Sequence, residues 1–181
     1  MKRFRLVFTS LIALFFSVSL HAQHGKTETP AFGKITLLNS TMHGQWAIGA
    51  GAMGGKYLTP SIFLGGAGYG ISNEPTNGGY GLGYGGVVVG YDWKSKEDNN
   101  SLVFSLLSGY GGAEATKESG NVSDDFWVIQ PNVEVEFKLT NWMRFGVGGG
   151  YRFVSGINQV GLTNQELSGP FSSVSLRFGS W

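Results

Sequence analysis

The 181-residue chain contains no cysteine. That excludes disulfides, thiolate metal centres, cysteine nucleophiles and a lipid-modified terminal cysteine together. Charge is scarce too: Asp, Glu, Lys and Arg supply 14% of positions, where a soluble domain carries about 25%. Helix signals are nearly missing, because glycines interrupt almost every segment and each costs a helix up to about 1 kcal/mol relative to alanine. Beyond residue 22 no uninterrupted apolar run approaches the roughly 18 to 20 residues of a spanning helix. A chain of this kind that enters a membrane must do so as a closed barrel.

What is present is apolar and small. Hydrophobic residues make up 41%, aromatics 14%, and glycine takes 30 positions, more than twice its usual share of roughly 7%. The length suits one domain plus a processed segment. Residues 1–22 open with Lys2, Arg3 and Arg5, continue through an apolar run from Leu6 to Leu20 and end at Ala22, the pattern of a secretory signal peptide. The expected division is a signal peptide at 1–22, a periplasmic tail at 23–31 and a barrel at 32–181. Removing the first segment takes away three positive charges, leaving 10 basic against 12 acidic residues. Nucleic acid is thereby excluded as a partner on electrostatic grounds.

Alternation of period two marks strands. It is clearest from Phe126 to Leu139. Trp127, Ile129, Val133, Val135, Phe137 and Leu139 share one face, and Phe126, Val128, Gln130, Asn132, Glu134, Glu136 and Lys138 share the other. After the short connection Thr140-Asn141, Met143, Phe145, Val147, Tyr151 and Phe153 lie opposite Arg144 and Arg152. The last segment sets Val174, Leu176 and Phe178 against Ser173, Ser175 and Arg177. Earlier strands read as Phe32 to Asn39, Gln45 to Gly54, Ser61 to Ser72, Gly79 to Trp93 and Ser101 to Gly111. The fold class is therefore all-β, an up-and-down antiparallel transmembrane β-barrel of about eight strands. Long polar connections are expected at Glu114 to Asp125 and Ser155 to Pro170, alternating with short ones on the periplasmic side. Two bulges are expected, one at Pro131, which cannot donate to a ladder, and one at Gly85-Gly86, where the apolar face changes parity.

The charge map assigns the faces. Between Tyr57 and Tyr91 the one acid or base is Glu74, too little for a water-facing wall. Glu134, Glu136, Lys138, Arg144, Arg152 and Arg177 then line the lumen as a structural network. Trp127, Ile129, Val133, Val135, Phe137, Phe145 and Val147 face lipid. Trp46, Trp93 and Trp127 fall near strand ends as girdle residues do, while Trp142 has lumen parity. Small residues on the second to fourth strands are expected to leave room for the long ionic side chains. Eight strands enclose space for side chains and little else.

Asp124 to Pro170 and Gly78 to Trp93 resemble the small eight-stranded outer-membrane barrels typified by the transmembrane domain of outer-membrane protein A. More narrowly they look like an uncharacterised group of secreted bacterial barrel proteins. The resemblance implies an interior Glu and Arg network at Glu134, Glu136, Arg144 and Arg152, acting as structural residues. Trp181 is similar to the family's terminal assembly signal, although Val174, Leu176 and Phe178 are out of phase with it. No catalytic motif comes with it.

Other chemistry is weakly signalled. Gly49 to Gly54 and Gly81 to Gly86 satisfy G-x-G-x-x-G, but neither opens a helix, as nucleotide binding requires. His43 near Ser40 and Thr41 reads as a solvated turn histidine, and His24 lies in the tail. Glu114, Glu118, Asp124 and Asp125 form an acidic outer loop whose spacing matches no calcium loop. No enzyme, cofactor or metal site is expected. The expected partners are outer-membrane lipid and lipopolysaccharide, the outer loops being the place for any protein contact, and the barrel is expected to be monomeric. The alternative is a soluble periplasmic lipocalin-like barrel binding a lipid or other apolar ligand inside.

Overall fold

Alternation along each segment gives one face to the interior and one to the surroundings, and eight such segments close on themselves. The computed structural model describes residues 30–42, 44–73, 80–95, 99–117, 120–158 and 163–179. The signal segment, nearly all of the tail, His24, His43, Glu118 and Trp181 lie outside the described residues. The strands are β1 (Ala31–Met42), β2 (Gln45–Tyr57), β3 (Ile62–Asn73), β4 (Tyr80–Lys94), β5 (Asn100–Lys117), β6 (Gly120–Lys138), β7 (Met143–Ser155) and β8 (Gly169–Gly179). Each pairs antiparallel with its neighbour in sequence, and β8 pairs with β1 to close the wall. One helical turn, α1 (Asn164–Leu167), interrupts the β7–β8 connection.

Registers fix the shape. From Ala31 the pairing runs through Lys56, Leu64, Val89, Leu106, Pro131, Tyr151 and Pro170. Extended by one residue at the β8–β1 seam, it returns to β1 at Thr41, a shear of ten residues. With spacings of about 3.3 Å along a strand and 4.8 Å between strands, that shear tilts the strands by about 40°.

Two sequence expectations are corrected here. Neither bulge exists. β4 keeps one register against β3 and β5 across Gly85-Gly86, so the parity change has a different cause. Leu82 and Tyr84 point inward into an apolar part of the lumen, whereas Val87, Val89, Tyr91 and Trp93 point outward. At Pro131 the β6–β7 ladder is broken between Ile129 and Asn132, yet the register is the same on both sides. Proline removes a donor without inserting a residue, and the strand runs on paired to β5.

The segment from Glu114 to Asp125 is also not a long loop. β5 and β6 continue through it as paired strands, Glu114 opposite Ser123 and Ala113 opposite Asp124. The hairpin therefore projects beyond the wall at the far end, the one opposite the end where β1 begins and β8 finishes. At that far end Gly44 turns β1 into β2 with φ 73°, a left-handed conformation that favours glycine. At the near end Leu139–Trp142 is a tight turn in which the Leu139 and Thr140 amides donate to the Met143 carbonyl.

Candidate functional site in the barrel lumen

Inward parity on β6 brings Glu134 and Glu136 side by side in the near half of the lumen, both fully buried. Their partners come from strands across the barrel. Lys34 of β1 places its Nζ 2.7 Å from Glu134 Oε1 and 3.6 Å from Glu136 Oε1. Arg177 of β8 binds Glu136 at 2.9 Å and reaches Asp92 of β4 at 3.6 Å. The Tyr57 hydroxyl donates to Asp92 and accepts from Arg177, and Ser175 donates to Glu134. Arg144 donates to Ser101 at 2.9 Å. Three cations (Lys34, Arg144, Arg177) thus share this half with three carboxylates (Asp92, Glu134, Glu136), which makes burial of so many ions tolerable.

Aromatic rings complete the near end. The Arg177 guanidinium lies 4.0 Å from the Phe32 ring centre, with Tyr57 and Phe63 at 5.3 and 5.4 Å. Phe32 and Phe63 meet edge to face at 5.1 Å. Glycine makes this possible, though not as the sequence suggested. A Cβ on Gly90 would lie 2.0 Å from Phe63 and one on Gly51 2.1 Å from Tyr69, so the space left by the early strands is filled by rings. The acidic group is accommodated on β7, where a Cβ on Gly146 would sit 1.9 Å from Glu134 Oε1.

The far half is apolar. Leu38, Met42, Ile71, Leu82, Leu107, Phe126, Val128, Val154 and Phe171 pack together there, and Ile157 and Leu167 from the β7–β8 connection are buried with them. Leu167 is completely covered. It is delivered by α1, whose start is fixed by a capping box between Thr163 and Glu166, two backbone donors being satisfied reciprocally. Ser168 accepts from the Val154 amide and Asn164 from the Ile157 amide.

The structure therefore distributes the six charged positions unequally. Glu134, Glu136 and Arg177 meet in one network. Arg144 lies at the same end, Lys138 is half-buried where β6 finishes, and Arg152 stands apart in the far half, donating from Nε to the Leu167 carbonyl. Lys34, Asp92, Tyr57 and Ser175 were missed. The signal for Lys34 is present in β1, where Lys34 and Thr36 alternate with Ile35 and Leu37. Asp92 sits between Tyr91 and Trp93 in the same way.

Outside the wall, Trp127, Ile129, Val133, Val135, Phe137 and Val147 are exposed and Phe145 is partly so. Among the described residues, charged side chains of outward parity occur only near strand ends, at Lys56, Glu114 and Asp125. Trp142 is exposed and stacks on Phe178 at 6.0 Å; it belongs to the turn, so strand parity does not govern it. Asp124 accepts the amides of Asp125 and Asn158, a structural use for one of the acidic residues. Among the described residues no group of three or more His, Asp or Glu is placed to hold a metal ion. Both G-x-G-x-x-G stretches lie inside strands, β2 and β4.

No protein-family model and no curated protein sequence matches the chain. Solved structures do. Neisserial surface protein A has a TM-score of 0.67 at 9% identity, over 86% of this chain and 99% of that one. The attachment invasion locus protein Ail of Yersinia pestis and the N-terminal β-barrel domain of Pseudomonas aeruginosa OprF each score 0.54. Their identities are 12% and 10%, over 84% of this chain and 99% of theirs. With its closed eight-stranded antiparallel wall, the chain has the fold of the small outer-membrane β-barrels of the outer-membrane protein A type.

Proposed function

We propose that the chain is a non-enzymatic bacterial outer-membrane barrel, exported by its signal segment, that stabilises the envelope or presents its far-end hairpins for contact outside the cell. One observation carries this reading: among the described residues the wall between the strand ends is apolar and uncharged outside, while the buried ions lie inside, the inverse of a water-soluble barrel. Hydrocarbon accepts such a surface, and paired ions inside meet the requirement that buried charge be compensated. A lipocalin-like ligand site would instead need an apolar hollow opening to water, whereas the inward face of this wall carries buried ions at one end and packed apolar side chains at the other.

The near end faces the periplasm in this reading, and the projecting β5–β6 hairpin and α1 face outward. One structural neighbour is Ail in complex with a heparin analogue, sucrose octasulfate. The outward rim of the present chain carries Glu114, Asp124, Asp125 and Glu166 beside Lys117 among its described residues, a balance of charge that does not favour a polyanion. Membrane fractionation combined with a heat-modifiability gel tests the proposal. The expected result is a detergent-requiring protein of the outer-membrane fraction whose mobility changes on boiling. Release as soluble periplasmic material overturns it.

A further inference from the structure

We propose that the far half of the lumen holds a small inorganic anion of the halide class against the guanidinium of Arg152. This rests on the closed barrel itself and not on where the barrel resides. Arg152 is 0% exposed, and arginine stays protonated in proteins. Among the described residues every acceptor it meets is neutral. Nε donates to the Leu167 carbonyl at 2.9 Å and Nη2 reaches the Ser40 hydroxyl at 3.5 Å. Nη1 has no partner at all among the described residues.

The carboxylates of the lumen are elsewhere. Register places Arg152 level with Gln130, between the pairs Ile129–Phe153 and Asn132–Gly150. Glu134, the nearest acid along β6, is four residues on, or about 13 Å. It is also held by Lys34 and Ser175. At the near end the three buried carboxylates already face the buried cations Lys34, Arg144 and Arg177, with Lys94 and Lys138 half-buried beside them, so none is spare for Arg152. A buried charge without a counter-charge is among the most destabilising features a fold can contain. Water would satisfy the free Nη1 but would not neutralise the charge. A monovalent anion does both, and α1 with Leu167 covers it from outside.

The test uses the wild-type barrel folded in detergent micelles and unfolded in urea, followed by tryptophan fluorescence. Sodium chloride is replaced stepwise by sodium gluconate at constant ionic strength, and sodium bromide is then added back. A halide that binds only the folded barrel raises the midpoint with concentration, so the midpoint should fall in gluconate and return with bromide. Arg152→Met should show no such dependence. Should that variant not fold, bromide-soaked crystals of the wild type decide, with anomalous density expected within contact distance of Arg152 Nη1. A wild-type midpoint indifferent to the anion, a variant as halide-dependent as wild type, or a bromide-soaked lumen with no density beside Arg152 overturns the proposal.

Discussion

Replacing Glu134 by alanine is the sharpest probe of the near-end network. Its carboxylate is 1% exposed, binds Lys34 at 2.7 Å and accepts from Ser175. Removing one partner of a buried ion pair costs about 3 to 5 kcal/mol, chiefly because the other charge is stranded. Here Lys34 keeps a second carboxylate, Glu136, at 3.6 Å, which places the expected loss at the lower end, about 3 kcal/mol. Reversible urea titrations of the barrel folded into lipid vesicles would measure it. The double variant Lys34→Met with Glu134→Ala removes both charges and, measured beside the two single variants, should recover much of that loss, giving a coupling energy well above the roughly 0.5 kcal/mol of independent sites. If Glu134→Ala changes stability by less than about 0.5 kcal/mol, or the double variant is simply additive, the two ions are hydrated and the closed-lumen reasoning fails.

Other perturbations test the remaining parts. Val135→Arg, on the outward face of β6, should cost about 2 to 4 kcal/mol in lipid-refolding titrations if it lies near the midplane; Glu114→Arg, outward but at the rim, should change little, and equal effects would refute a hydrocarbon-facing site at Val135. Gly90→Ala drives a methyl into the Phe63 ring and should cost about 1 to 3 kcal/mol by overpacking; an unchanged midpoint would show that the aromatic box is loose. In planar-bilayer recordings the purified monomer should give no steady conductance if the rings, ion pairs and Leu167 along the lumen plug it, and a reproducible large channel would refute this.

The strand count, the inward placement of Glu134, Glu136 and Arg177, and the exposure of Trp127 and Val135 were legible because period two assigns faces directly. What the sequence concealed depended on distance around the wall. Pairing of Lys34 with Glu134 joins β1 to β6, a relation that alternation within one strand does not encode. The parity change in β4 reads locally as an inserted residue. In the fold it records a lumen that is apolar at one end and ionic at the other, so that Leu82 and Tyr84 belong inside and Val87 and Val89 outside. Glycine was misleading in a similar way: its clearance on β2 and β4 serves Tyr69 and Phe63, while the Glu134 carboxylate leans over Gly146, two residues along β7 from its register partner Gly148.

The ties across the lumen also constrain how the wall can come into being. Lys34 on β1 is neutralised by β6, and Arg177 on β8 finds Asp92 on β4, so these partners are not sequence neighbours. A single hairpin entering hydrocarbon alone would carry bare charges, at about 2.5 to 3.5 kcal/mol each on insertion scales, besides open edges of unpaired backbone. Piecemeal entry is therefore uphill at every early step. In the proposed membrane setting the strands would gather at the bilayer surface and cross as the ring closes, so that lipid insertion and β8–β1 pairing proceed as one kinetic event, with no half-barrel accumulating in the membrane.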